Sequence, residues 1–213
     1  RIETSPKEIM FDIIELAAVV SSATFGVLLA RRHQMDFIGV FSLAFIVSFG
    51  GGTLRDLFLD RHPLFWIRES HYPVIVFAIS LVTSFVRRIP EQLERFLNLP
   101  DAIGLGVFSV VGASAALESG TSYFNAALLG GVTGTFGGVM GDVVCNRVPS
   151  LFRPAPFYAT CSFAGCWLYF VLRLTPIAEA YAVAIAIASI IAFRLIAIRY
   201  DLRIPAVGIE VDE

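Results

Sequence analysis

Charge is what this chain has least of. Of its 213 residues, 16% are Asp, Glu, Lys or Arg, where a soluble domain carries about a quarter. The formal net charge is only −2, and no basic run is present that could follow a phosphate backbone. Both features exclude a nucleic-acid partner. Histidine is scarce too: His33, His62 and His71 fall in expected loops or at the ends of apolar runs. They are not gathered with Cys or carboxylates at ligand spacing, so no metal site is expected. The three cysteines, Cys145, Cys161 and Cys166, sit in or beside apolar runs. Their number is odd and their spacing matches no zinc or redox motif, so they read as small buried apolar residues. Glycine-rich phosphate loops need a strand before them and a helix or lysine after them, and neither is found. The serines have no His and Asp constellation. The expectation is a protein that is not an enzyme and carries no cofactor.

What the chain has in quantity is apolar length. Hydrophobic residues make up 56%, and the mean hydropathy is +0.75. Seven runs approach the roughly 20 residues that a bilayer-crossing helix needs. They lie at about Phe11–Ala30, Phe37–Phe58, Tyr72–Val86, Asp101–Leu117, Tyr123–Val144, Phe157–Leu172 and Pro176–Ile198. No cleavable signal peptide is expected, because the first run leads straight on. Asp12 and Glu15 open the first helix and suit its N-terminal dipole. Trp66 and Tyr72 suit a membrane interface.

Within the second run stands Phe49-Gly50-Gly51-Gly52-Thr53-Leu54-Arg55-Asp56. Three adjacent glycines each give up about 1 kcal/mol of helix propensity relative to alanine. At membrane depth glycine serves close backbone approach, or a break that turns peptide groups toward a cavity. The stretch recurs as Phe136-Gly137-Gly138-Val139-Met140-Gly141-Asp142, with 137 answering 51 and 142 answering 56, an offset of 86. The same offset pairs Gly26 with Gly112, Leu43 with Leu129, Arg61 with Arg147, Pro63 with Pro149 and Tyr72 with Tyr158. A shift held across both sides of the glycines indicates an internal duplication, about 12–87 and 98–173. A polar connector, Glu91 to Asn98, joins the halves, and the seventh helix, about 176–198, has no counterpart. Residues 1–213 form a single membrane domain.

Three spans per repeat is odd, so the two repeats enter the membrane in opposite directions. The fold class is therefore an all-α integral membrane protein of seven transmembrane helices: two inverted three-helix repeats plus one C-terminal helix. One side receives Arg31, Arg32, Arg87, Arg88, Arg95, Arg147, Arg153, Arg199 and Arg203; the other receives Arg1, Lys7, Arg61, Arg68 and Arg173. The richer side is cytoplasmic by the positive-inside rule, with the N-terminus outside and the C-terminus inside. At 1.5 Å per residue Gly51 lies roughly 21 Å along the second span, just past the middle of a ~30 Å core. Gly137 mirrors it in the fifth. Asp56 then falls near the outer mouth and Asp142 near the inner one.

Two glycine motifs related by inversion favour a path through the protomer over packing alone. Candidate lining residues are Ser48, Phe49, Gly50, Gly51, Gly52 and Thr53 in the first motif, and Thr133, Thr135, Phe136, Gly137 and Gly138 in the second. Bent or unwound turns there would offer carbonyl oxygens to a cation. The hydroxyls either join them or bond the preceding turn of their own helix. Asp56 and Asp142 either set a negative field at the two mouths or form ion pairs with Arg55, Arg61 and Arg147. No charged residue is expected near the midplane, as a zwitterion site would need. Gly104, Gly106, Gly112 and the small residues 113–116 place the fourth span in the interior or in a subunit interface.

The motif Gly-Gly-Gly-x-x-Arg-Asp in the second span, its Gly-Gly-x-x-x-Asp echo in the fifth and the lone seventh helix resemble the prokaryotic trimeric intracellular cation (TRIC) channels. The chain also resembles an overlapping bacterial family labelled "glycine transporter domain". The resemblance covers residues 10–200 and implies a homotrimer in an inner (cell) membrane. It implies a pore in each protomer, permeable to monovalent cations and chiefly potassium. The pore would be lined by kinked second and fifth helices at Gly50, Gly51, Gly52, Gly137 and Gly138. Phe136 departs from the pattern, standing where a third glycine would pair with Gly50. The Lys-Glu-Val lipid motif of animal members is missing from the second span, so no phosphoinositide site is carried over. The alternative is a secondary transporter of a small solute such as glycine, since inverted repeats are common in transporters.

Overall fold

The computed structural model describes residues 6–86 and 98–205. Arg1, Arg87, Arg88, Arg95, most of the connector from Glu91 and the acidic tail lie outside the described residues. Eight α-helices are described: α1 (Pro6–Arg32), α2 (Phe37–Phe58), a one-turn α3 (Phe65–Arg68), α4 (His71–Phe85), α5 (Asn98–Glu118), α6 (Tyr123–Val144), α7 (Ala159–Arg173) and α8 (Glu179–Arg199). A 3-10 turn at Ser150–Phe152 precedes α7. The extended backbone described is a single bridge between Pro156 and Arg203.

Five helices, α1, α2, α5, α6 and α8, are long and apolar enough to cross a membrane. The third and sixth expected spans, α4 and α7, have 15 residues each. That is roughly 22 Å of helix, short of a ~30 Å hydrocarbon core. Large apolar side chains such as Ile38, Phe58, Val82, Phe85, Phe124 and Tyr181 face outward. An exterior of this kind suits lipid rather than water. The protein is a helical membrane protein.

The two central helices start and stop by the same local chemistry. Asp36 caps α2 by accepting from the Gly39 amide at 2.8 Å, and Ser122 caps α6 by accepting from the Asn125 amide at 3.3 Å. Each side-chain oxygen satisfies one of the amides that a helix start leaves unpaired. At the other end Asp60 (φ 52°) and Asn146 (φ 54°) take the left-handed conformation that Asp and Asn tolerate. The Arg61 amide then reaches the Asp56 carbonyl at 2.8 Å, and the Arg147 amide reaches the Asp142 carbonyl at 2.9 Å. These main-chain closures satisfy the last carbonyls of each helix.

The helix α5 forms the middle of the packing, touching α1, α6, α7 and α8. It is buried without interruption from Gly104 to Ala116. Its small residues therefore serve packing inside the protomer, because only small side chains let so many helices approach one axis. The sequence-based placement of Tyr72 at a membrane interface does not hold: Tyr72 is fully buried. Trp66 is partly buried and donates its indole N–H to Thr53 Oγ1 at 3.0 Å.

Candidate functional site

The glycine motifs meet. A Cβ on Gly51 would fall on the carbonyl oxygen of Thr133, and one on Gly137 would fall on that of Val47. Partners rise along α2 from 47 to 51 as they fall along α6 from 137 to 133, so the helices run antiparallel. The two contacts are also related by the offset of 86. The helices thus cross backbone to backbone at one point and its mirror image. Any side chain at either glycine would prise them apart, because backbone cannot swing aside as a flexible side chain can. Both motifs lie inside unbroken helices. The expectation of unwound turns with free carbonyls is not met; close approach is what the glycines supply at the crossing.

The hydroxyls divide. Thr133 donates to the Leu129 carbonyl at 2.6 Å and Thr135 to that of Gly131 at 2.7 Å, each within its own helix. Thr53 accepts from Trp66. Ser48 is buried and its Oγ has no hydrogen-bond partner among the described residues. It lines a small cavity at the crossing together with Val47, Gly51, Thr133, Gly137 and Phe108. The cavity measures about 10 Å³, room for about one water. Phe49 and Gly50 are buried beside it; Gly50 faces Met140 and Gly52 faces the Phe65 ring. Phe136 is half-buried on α6.

Asp101, Gly138, Tyr158 and Phe25 line both this cavity and a vestibule of about 200 Å³ that opens at the Asp142 end. The vestibule is further lined by Arg32, Asn98, Asp142, Arg147, Arg153 and Arg194. Asp101 accepts from the Tyr158 hydroxyl at 3.0 Å and from Arg194 Nη2 at 3.5 Å. Arg194 also donates to the carbonyls of Pro156 and Phe157, and its guanidinium lies 4.5 Å from the centre of the Tyr158 ring. Asp142 is half-buried and accepts from the Ser150 amide and hydroxyl at 3.0 and 3.2 Å.

The Asp56 end is filled. Arg55 donates from Nε to Asp56 at 2.8 Å and from Nη1 to Glu15 at 3.1 Å, with all three side chains buried. The second Asp56 oxygen accepts from the Phe65 amide at 2.8 Å. Arg55 also stacks over the Phe65 ring at 5.1 Å, and Phe65 touches Phe49, Tyr72 and Phe108. Charges this far from water persist only when every one is paired. Asp56 is therefore a paired carboxylate in the interior, and the negative-field alternative for it is excluded here. Among the described residues neither Arg61 nor Arg147 pairs its guanidinium with the aspartate before it; the main chain makes those links instead.

Three participants escape a reading of the motifs alone. Glu15 does not open the first helix, which begins at Pro6 and so places Asp12 and Glu15 beyond its first turn; it is a buried ion-pair partner of Arg55. Asp101 stands 86 residues after Glu15 and brings a carboxylate to the edge of the crossing cavity, where none was expected. Arg194 comes from the helix outside the repeats. The offset itself holds the signal for the first two, since it aligns Glu15 with Asp101 as it aligns Tyr72 with Tyr158.

Known proteins resemble this chain in sequence and in fold. The family model described as Glycine transporter matches twice, at residues 12–88 and 98–174. A UPF0126 membrane protein of Vibrio cholerae is 33% identical over 208 residues, covering 95% of this chain and 85% of its own length. The UPF0126 inner membrane protein YadS of Escherichia coli K12 is 32% identical, covering 90% and 95%. Among solved structures, the TRIC trimeric intracellular cation channel orthologue from Rhodobacter sphaeroides superimposes with a TM-score of 0.83 at 30% identity, over 90% of this chain and 98% of that one. A second structure, described for conductance through TRIC cation channels, gives a TM-score of 0.84 at 31% identity over 95% and 99%. The chain belongs to this bacterial TRIC-related membrane family, the one that the Glycine transporter model describes.

Proposed function

We propose that the protein is a monovalent cation channel, potassium-preferring, with one path in each protomer along the crossing of α2 and α6. The observation that carries this reading is the pseudo-symmetric glycine crossing, with a water-sized cavity that joins a polar vestibule. Likeness to TRIC cation channels at 30–31% identity supports it. The seven spans are α1, α2, α4, α5, α6, α7 and α8. Two inverted repeats, about 12–87 and 98–173, hold the first six, and α8 stands outside them. Three protomers assemble in a cell membrane, with the N-terminus outside. The arginine-rich vestibule then faces the cytoplasm and the Arg55 end faces out.

The path lies along Ser48, Gly51, Thr133, Gly137 and Gly138, and opens to the cytoplasm past Asp142. The Glu15–Arg55–Asp56 cluster and Phe65 close its outer half, so Arg55 serves as a gate residue. A glycine transporter fits less well. A cavity of about 10 Å³ admits one water, and glycine with two charged ends is larger and needs fixed partners for both.

Planar-bilayer recording in a potassium chloride gradient, with glycine on one side, tests the proposal. Discrete steps reversing near the potassium potential and indifferent to glycine are expected. Silent bilayers together with labelled-glycine uptake into liposomes would reverse it.

A further inference from the structure

Given the channel reading above, Ser48 is the α2 group at the crossing whose hydroxyl finds no partner among the described residues; Ser22 of α1 also lines the cavity. The cavity has room for about one water. An ion passing there sheds most of its hydration shell, and protein oxygens must replace what it sheds. The Thr133 hydroxyl is held by its own helix at 2.6 Å. The Val47 and Thr133 carbonyls point at the opposing glycines. Asp101, at the cavity's edge, is engaged by Tyr158 and Arg194. Ser48, a residue 1% exposed, has no partner for its Oγ among the described residues.

The repeat makes this hydroxyl singular. Its counterpart at the 86-residue offset is Gly134. A side chain at Gly134 would collide with Ser109 Oγ and the Leu105 carbonyl. α6 therefore cannot supply a hydroxyl at the matching position, and the constriction is asymmetric in its polar side chains although symmetric in backbone. A buried hydroxyl left without a partner is costly. Its retention at a water-sized cavity means that its partner is whatever occupies that cavity.

We propose that Ser48 sets which monovalent cation crosses the constriction, its hydroxyl oxygen replacing a water that the ion gives up between α2 and α6. A single neutral oxygen compensates dehydration weakly. Its removal penalises the more strongly hydrated ions most. Ser48→Ala is expected to lower potassium conductance and to raise the caesium-to-potassium permeability ratio by about threefold, the scale of one hydrogen-bonding ligand. Ser48→Thr, which keeps the oxygen, is expected to preserve the ratio.

Access is tested separately with Ag⁺, a thiol-reactive monovalent cation. The background carries Cys145→Ser, Cys161→Ser and Cys166→Ser, and Ser48→Cys is added to it. Ag⁺ is expected to block the Ser48→Cys protein and to spare the background. A caesium-to-potassium ratio unchanged in Ser48→Ala, or a Ser48→Cys protein that conducts through Ag⁺, overturns the assignment while leaving the channel intact. A wild-type protein that conducts no cation overturns the channel reading and this inference with it.

Discussion

The two ends of the α2–α6 crossing carry the same set of groups, delivered differently. Each has a carboxylate from a neighbouring helix, Glu15 of α1 or Asp101 of α5, a tyrosine, Tyr72 or Tyr158, and a helix-terminal aspartate, Asp56 or Asp142. Each also has an arginine. At the first end it is Arg55, on the crossing helix itself. At the second, the matching position is Gly141, and Arg194 arrives from α8. The difference has a volume. Arg55 fills its end, whereas the other end keeps a vestibule of about 200 Å³ with Arg194 on its wall; Gly141 itself packs against Val47 and Leu29. A duplicated frame can thus keep its charge balance while one half is sealed and the other open, simply by moving the cation to another helix.

The largest effect should come from removing the sealing arginine. Arg55→Ala strands Glu15 and Asp56 without water, and should cost about 3–5 kcal/mol, read from thermal unfolding in detergent. Arg194→Ala should cost less, about 1–3 kcal/mol, because Asp101 keeps the Tyr158 hydroxyl. Equal losses would break the contrast between the ends.

Next come the glycines on the axis. Gly51→Ala and Gly137→Ala should each destabilise by about 1–3 kcal/mol, the usual range for overpacking. Their near-equality is the sharper expectation, since each meets the equivalent carbonyl of the other repeat. A clear inequality between the two would show that the crossing is two-fold in sequence but not in energy.

Smaller effects belong to the mouths. Asp142→Asn should reduce cation-over-anion preference in a potassium chloride gradient, because Asp142 lines the vestibule. Asp56→Asn should leave the reversal potential unchanged, because Asp56 is buried against Arg55. The smallest change is Thr53→Val, which removes the acceptor for Trp66 Nε1 and should cost about 1 kcal/mol.

The central helices were legible in advance. Runs at Phe37–Phe58 and Tyr123–Val144 coincide with α2 and α6 because polar capping residues, Asp36 and Ser122, bound them locally. The turns at Asp60 and Asn146 also stand 86 residues apart, a pairing that only the structure brings out. What stayed hidden is tertiary. Arg55 has two acidic candidates close by in sequence, Asp56 and Asp60, and only folding shows that Glu15, 40 positions away, is taken together with Asp56. Arg194 reads as one more arginine at the end of a seventh span until α8 packs against α5 and α7. The glycines are ambiguous between bending and close approach, because both need the same missing Cβ. The contact with an opposing carbonyl decides in favour of approach at Gly51 and Gly137.

The crossing also has a mechanical meaning. The two contacts that exchange under the offset of 86, Gly51 with Thr133 and Gly137 with Val47, flank the axis of the proposed two-fold relation, and points near an axis are displaced least by rotation about it. If one repeat rocks against the other in that way, Gly51 and Gly137 act as the pivot, and the Arg55 and Asp142 ends swing through the larger arcs. On the proposed channel reading, the narrowest place in the path is then its most stationary one, and control of passage falls to the ends of the levers.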